Sequence, residues 1–134
     1  YLKPTQFVLG IGCRRDTAFE NIDRAIRQSL LKLQIDISDI DMIASIDVKK
    51  DEPGIKEFCE RNRIEFVTYT ADELMAVQGE FSASQFVREH VGVDNVCERA
   101  AVLACSRECN EAGELIYKKH KYDMVTVAAA RYPD

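Results

Sequence analysis

The stretch QFVLGIGCRRDTAFENIDRAIRQSLLKL, from Gln6 to Leu33, decides the fold class. Its first part, Gln6 to Gly12, is short, apolar and bounded by Pro4 and glycines, which predicts a buried strand. A polar turn, Cys13-Arg14-Arg15-Asp16, follows. Thr17 and Glu20 then have the T-x-x-E spacing of a capping box, which predicts a helix start. Phe19, Ile22, Ile26, Leu30 and Leu33 step by three or four residues and mark one apolar face of that helix. Strand, glycine-bearing turn and helix make a βα unit.

Working outward, two more βα steps are predicted. Met42 to Ile46 is a second apolar strand, and Asp51-Glu52-Pro53 opens a helix with Pro in its first turn and Ile55, Phe58 and Cys59 facing inward. Glu65 to Tyr69 is a third strand; Thr70 with Glu73 is another capping box, starting a short helix that ends near Gly79. Ser82 with Gln85 opens a further helix carrying Phe86 and Val87. After a turn at Val91-Gly92-Val93, Asn95 with Glu98 forms a fourth box, and Val96, Cys97, Ala100, Ala101, Ala104 and Cys105 form the small-residue face of a helix. Leu115 to Tyr117 and Met124 to Ala130 are closing strands joined by a basic link, Lys118 to Asp123. The expectation is one α/β domain over residues 1–134, layered α/β/α, with a mixed sheet of about five strands closing in a β-hairpin.

Composition narrows the function classes. The chain has 134 residues, with 18 Lys+Arg against 23 Asp+Glu and a net charge of −5, unlike a general nucleic-acid binder. The longest run free of charged residues, Pro4 to Cys13, is ten residues, well short of the roughly 20 that a membrane span needs. Five irregularly spaced cysteines favour reduced thiols in a cytoplasmic protein over a disulfide framework. No basic-then-apolar signal peptide opens the sequence. A chain that begins at Tyr1 rather than Met is expected to be a segment of a longer protein.

The turn Gly10 to Thr17, between a strand and a helix N-terminus, is suited to an anion: free N–H groups and the helix dipole point at it, and Arg14 and Arg15 can pair a carboxylate or phosphate. It is neither a dinucleotide fingerprint, since Arg15 stands where the third glycine belongs, nor a Walker A loop, since no G-K-[ST] follows. A tight turn with two solvated arginines is the alternative. Asp47-Val48-Lys49-Lys50-Asp51-Glu52-Pro53-Gly54 follows the second strand; if the first two strands are parallel, it shares an edge with the arginines, where α/β sheets hold ligands. Cys105 and Cys109 do not make a zinc pattern, and the cysteines read as small buried hydrophobes. His90 reads as a helix C-terminal dipole partner, and His120 sits in the densest basic run, Lys118 to Lys121.

Taken together, several stretches resemble the cobalamin-biosynthesis family that contains the C-terminal domain of CbiG and the free-standing protein CobE. They are Gly10 to Arg15; Ile46 to Lys49 with Glu52-Pro53-Gly54; Phe81 to Val87; Val91 to Glu98 with Ala100-Ala101; and Lys119 and Lys121 with Thr126-Val127-Ala128. The resemblance runs from Phe7 to Ala130, with two departures: Asp16 stands where a small residue is expected, and Asp123 and Met124 replace two glycine-like positions. It implies a part in the hydrolysis of cobalt-precorrin-5A, in which a δ-lactone on the macrocycle opens and acetaldehyde leaves. The substrate carries several carboxylates and its own cobalt, so no cofactor or protein-bound metal is expected. The partners implied are this cobalt tetrapyrrole and N-terminal domains of the same polypeptide, with no nucleic acid and no membrane. The substrate-binding residues implied are Gly12, Cys13, Arg14, Arg15, Lys49, Ser82, Ser84, Glu98, Lys119 and Lys121, with Asp47 or Glu52 as the base that activates water. Two alternatives stay open: a non-catalytic module that holds a corrinoid intermediate, and a phosphate binder using Gly10 to Thr17.

Overall fold

A computed structural model describes residues 7–77, 96–109, 113–122 and 124–132. The expected strands form: β1 (Phe7–Cys13), β2 (Ile40–Ile46), β3 (Glu65–Tyr69), β4 (Glu114–Tyr122) and β5 (Val125–Arg131). They make one mixed sheet in the order β3-β2-β1-β5-β4. β1, β2 and β3 run parallel, while β5 is antiparallel to both β1 and β4. The layered α/β reading with a closing hairpin therefore holds.

Side-chain alternation along β1 explains the two layers. Leu9 and Ile11 point to one face, where α1 (Phe19–Leu33) contributes Ile22, Ile26 and Leu30, and α2 (Pro53–Asn62) contributes Ile55, Phe58 and Cys59. Val8 points to the other face, packed with Met42, Ala44 and Ile46 of β2, with Leu74 of the short α3 (Ala71–Met75), and with Val96, Ala100, Ala101 and Cys105 of α4 (Val96–Cys109). Burying each large side chain of these sets contributes roughly 1.5–3 kcal/mol. Gly10 is what lets α4 lie so close: a Cβ there would sit 1.7 Å from the Cys97 carbonyl oxygen.

Local expectations fared unevenly. Thr70 and Glu73 form both halves of the predicted capping box of α3. Thr17 does not cap α1. Ala18 occupies the N-cap with no side-chain bond, and the buried Thr17 donates its hydroxyl to the Arg14 carbonyl at 2.5 Å, so that hydroxyl is satisfied within the turn. The segment Lys118 to Tyr122, expected as a link, is the second half of β4; only the turn beyond it joins the strands. The helix predicted from Ser82, the turn at Val91-Gly92-Val93, Asn95, His90 and Asp123 lie outside the described residues. Among the described residues no helix is long and apolar enough to cross a membrane.

Candidate functional site

Because β1, β2 and β3 are parallel, Cys13, Ile46 and Tyr69 end them at one edge of the sheet. The β4–β5 hairpin turns at the same edge, since Val125 pairs with Cys13 and Tyr122 with Val125. Gly12, Cys13, Arg14, Arg15, Asp47, Lys49, Glu52 and Lys121 are thereby brought to one margin.

The arginine turn is braced from two sides. The Arg14 N–H donates to the Met124 carbonyl at 3.1 Å, tying the turn to the hairpin. Asp16 has a left-handed backbone, φ 60°, and its N–H donates to Glu52 Oε1 at 2.9 Å. Glu52 is the N-cap residue of α2 and only 8% exposed; its Oε2 lies 3.7 Å from Lys49 Nζ. Gly54 permits α2 to seat there, because a Cβ would come 2.5 Å from the Thr17 carbonyl oxygen. Arg14 and Arg15 themselves are exposed. Both Glu52 oxygens face a partner, so this carboxylate is built to hold the turn. Asp47 opens a 3-10 turn (Asp47–Lys49) directly after β2 and is half-buried.

Burial pushes the Cys13 thiol up, Lys49 draws it back, and Glu52 adds to the rise, so the group stays a thiol near neutrality. Cys59 and Cys97 are pushed up to about 12 by burial above all. Cys59, Cys97 and Cys105 are buried free cysteines, as small core hydrophobes are. Among the described residues no group of three or more His, Cys, Asp or Glu could hold a metal ion.

On the α4 side of the sheet lies a second group. Lys121 pairs with Thr126, which pairs in turn with Gly12 and donates its hydroxyl to the Gly12 carbonyl at 3.4 Å. Glu98, in the first turn of α4, is 1% exposed, and its Oε2 accepts the Lys119 N–H at 2.6 Å. The opposite side of β4 carries His120, stacked on Tyr117 with ring centroids 4.0 Å apart. The Tyr117 and Tyr122 hydroxyls lie 2.8 Å apart, and Ser29 Oγ is 3.1 Å from that of Tyr122. Burial and the bond to Tyr122 push the Tyr117 phenol up to about 12.

Of the expected site residues, Ser82 and Ser84 lie outside the described residues. The rest form two neighbouring groups, one around the arginine turn and one around Glu98. Thr126 was not among the candidates, although a lone hydroxyl in VTVAAAR was a readable signal. The tyrosine–serine network had only Ser29 to announce it, a polar residue on the apolar stripe of α1.

Residues 7–130 match the family described as Cobalamin synthesis G C-terminus. The chain is 38% identical over 102 residues to a cobalt-precorrin-5A hydrolase of Salmonella typhimurium, matching 76% of this chain and 29% of that protein. It is 30% identical over 131 residues to a cobalt-precorrin-5A hydrolase of Priestia megaterium, matching 98% of this chain and 33% of that one. The crystal structure of CobE, a protein from the cobalamin (vitamin B12) biosynthetic pathway, matches with a TM-score of 0.89 at 25% identity, over 96% of this chain and 92% of that one. The chain thus spans about a third of the length of the two hydrolases and nearly all of CobE.

Proposed function

This chain belongs to the cobalamin synthesis G C-terminal family, and on that premise we propose that the sheet edge bearing Arg14, Arg15, Lys49 and Lys121 binds cobalt-precorrin-5A as a domain of a hydrolase. The observation that carries the reading is the placement of Arg14, Arg15, Lys49 and Lys121 at one margin, with Lys119 beside it, on a chain whose net charge is −5. Cations from three elements, against that overall charge, suit a ligand bearing several carboxylates.

In this reading Asp47 takes a proton from the water that attacks the δ-lactone carbonyl. Arg14 and Arg15 face the oxyanion that develops; the ring C–O bond then breaks, leaving a carboxylate and, once protonated, a hydroxyl on the two-carbon arm. That hydroxyl next gives up its proton as the C–C bond to the macrocycle breaks, so the arm leaves as acetaldehyde and the macrocycle takes up the electron pair with a proton. Glu52, the other carboxylate expected as a base, serves the reaction by holding the arginine turn. The cobalt arrives with the substrate, and the domain holds no cofactor of its own. The domain works in the cytoplasm alongside further domains of the longer polypeptide.

A second reading, a module that holds the corrinoid without reacting, is favoured by one observation. Glu52 is engaged at both oxygens and the Cys13 thiol is raised, which leaves Asp47 as the freer of the two carboxylates expected as a base. Anaerobic incubation with cobalt-precorrin-5A, following acetaldehyde and corrinoid mass, separates the two. Turnover that Asp47→Asn lowers by about a hundredfold or more supports the hydrolase domain. Binding without acetaldehyde supports the holding module, and absence of binding removes both.

A further inference from the structure

Strand β4 uses nine residues, Glu114 to Tyr122, to pair with the seven of β5, Arg131 to Val125. The two extra residues fall between Leu115 and Tyr117 and between Tyr117 and His120. At the second irregularity Tyr117 pairs with Ala129 and His120 with Val127, so Lys118 and Lys119 together face Ala128. That is a β-bulge, and bulges re-aim the side chains that follow them.

The consequence is a change of face. In an unbroken strand, Lys119 and Lys121 would share the α1/α2 side with Tyr117, because side chains alternate. With the bulge, His120 and Tyr122 take that side, where they meet Tyr117 through a ring stack and a hydroxyl pair. Lys121 comes to pair with Thr126 instead, on the side of Cys97 and α4. A bulge leaves backbone groups off the strand ladder, and here the Lys119 N–H is taken by the buried Glu98 carboxylate at 2.6 Å. A bond from an N–H to a buried carboxylate is stronger than one between neutral groups.

We propose that Glu98 is a positioning residue: its carboxylate fixes the Lys118–Lys119 bulge and so keeps Lys119 and Lys121 on the α4 side, turned to the carboxylates of the bound tetrapyrrole. The choice of ligand rests on the function proposed above; the control of strand facing does not. At 1% exposure Glu98 acts through the β4 backbone.

The test is a double-mutant cycle between Glu98→Ala and deletion of Lys118, with Glu98→Gln as the conservative variant. Deleting Lys118 leaves Lys119 alone opposite Ala128 and removes the bulge while keeping Lys121 opposite Thr126. Two readouts are taken: the Lys121–Thr126 cross-strand contact by NMR in the ligand-free chain, and the Kd for cobalt-precorrin-5A. Glu98→Ala is expected to lose the contact and to weaken binding by roughly tenfold to a hundredfold. Glu98→Gln, whose amide oxygen still accepts the N–H, is expected to keep the contact and bind within about threefold of the wild type. In the Lys118-deleted chain, Glu98→Ala is expected to change neither readout.

An unchanged contact in Glu98→Ala overturns the proposal. So does an equal loss of affinity in both backgrounds, which would make Glu98 a direct ligand contact. If Glu98→Ala unfolds, folding of the same substitution in the Lys118-deleted chain supports the proposal, and unfolding in both overturns it. If the wild type does not bind cobalt-precorrin-5A, the ligand reading fails, and the NMR contact alone decides the role of Glu98.

Discussion

At the arginine turn, Glu52 accepts the Asp16 N–H at 2.9 Å; at the β4 bulge, Glu98 accepts the Lys119 N–H at 2.6 Å. Each is a buried carboxylate holding an irregular backbone that carries cations. The surroundings differ. Glu52 comes from a loop, has Lys49 within 3.7 Å, and braces an exposed turn. Glu98 comes from a helix whose backbone is pressed onto β1 at Gly10. Relaxing the first disturbs a turn of a few residues, because the strands on either side keep their ladders. Relaxing the second changes which way every later residue of β4 points. A polar clamp therefore has a reach set by the periodicity of what it holds, more than by its own strength.

The largest effect should come from separating the second clamp from its support. Gly10→Ala places a Cβ 1.7 Å from the Cys97 carbonyl oxygen, so α4 must lift from β1 and carry Glu98 away from β4. A loss of about 3 kcal/mol or more is expected in urea unfolding, at the upper end for overpacking. A loss under about 1 kcal/mol would show that α4 is not seated as described and would end the comparison.

The first clamp should respond less, and in two directions. Glu52→Ala removes the charged acceptor of the Asp16 N–H and is expected to cost about 2 kcal/mol, the range for a hydrogen bond to a charged group. Asp16→Gly keeps that N–H and relieves the left-handed backbone, so it should gain about 0.5–1 kcal/mol. It should also tighten anion binding at Arg14 and Arg15. A destabilised Asp16→Gly would mean that the carboxylate of Asp16, rather than Glu52, shapes the turn.

The smallest effect reads the charges of the first clamp through Cys13. Its thiol is raised by burial, lowered by Lys49 and raised further by Glu52. At a fixed pH below the thiol pKa, alkylation follows the thiolate fraction. Glu52→Gln should then speed reaction of Cys13 with iodoacetamide, and Lys49→Met should slow it, each by about twofold. Opposite signs would show that these two charges do not act on Cys13 as the geometry places them.

The sequence-level reading reached the fold where neighbours in the chain carry the signal. β1, α1, β2, α2 and β3 announce themselves through apolar spacing, Pro53 and the Thr70–Glu73 box. It failed where a residue's role depends on a distant partner. Thr17 has the spacing of a cap but bonds back into the turn. Both helices α1 and α2 end in left-handed residues, Gln34 and Arg63, that carry no glycine signal. Lys118 to Tyr122 looks like a link because the bulge breaks the period of two, and what holds the bulge is a carboxylate 21 residues earlier. The cations that gather at the sheet edge were legible as residue types. The parts of Glu52 and Glu98 were not, since each bonds a backbone N–H whose position only the folded chain defines.

The bulged β4 is also the outermost strand of the sheet, with β3, only five residues long, at the far margin. An outer strand offers unpaired backbone groups to any other chain, the template on which β-proteins aggregate. Two bulges interrupt that template, and Lys118, Lys119 and Lys121 charge it. Lys119 and Lys121, proposed above to meet an anionic ligand, thus also guard the strand against pairing with another molecule, and on that proposal stripping the lysines from β4 would trade ligand affinity and colloidal solubility away together.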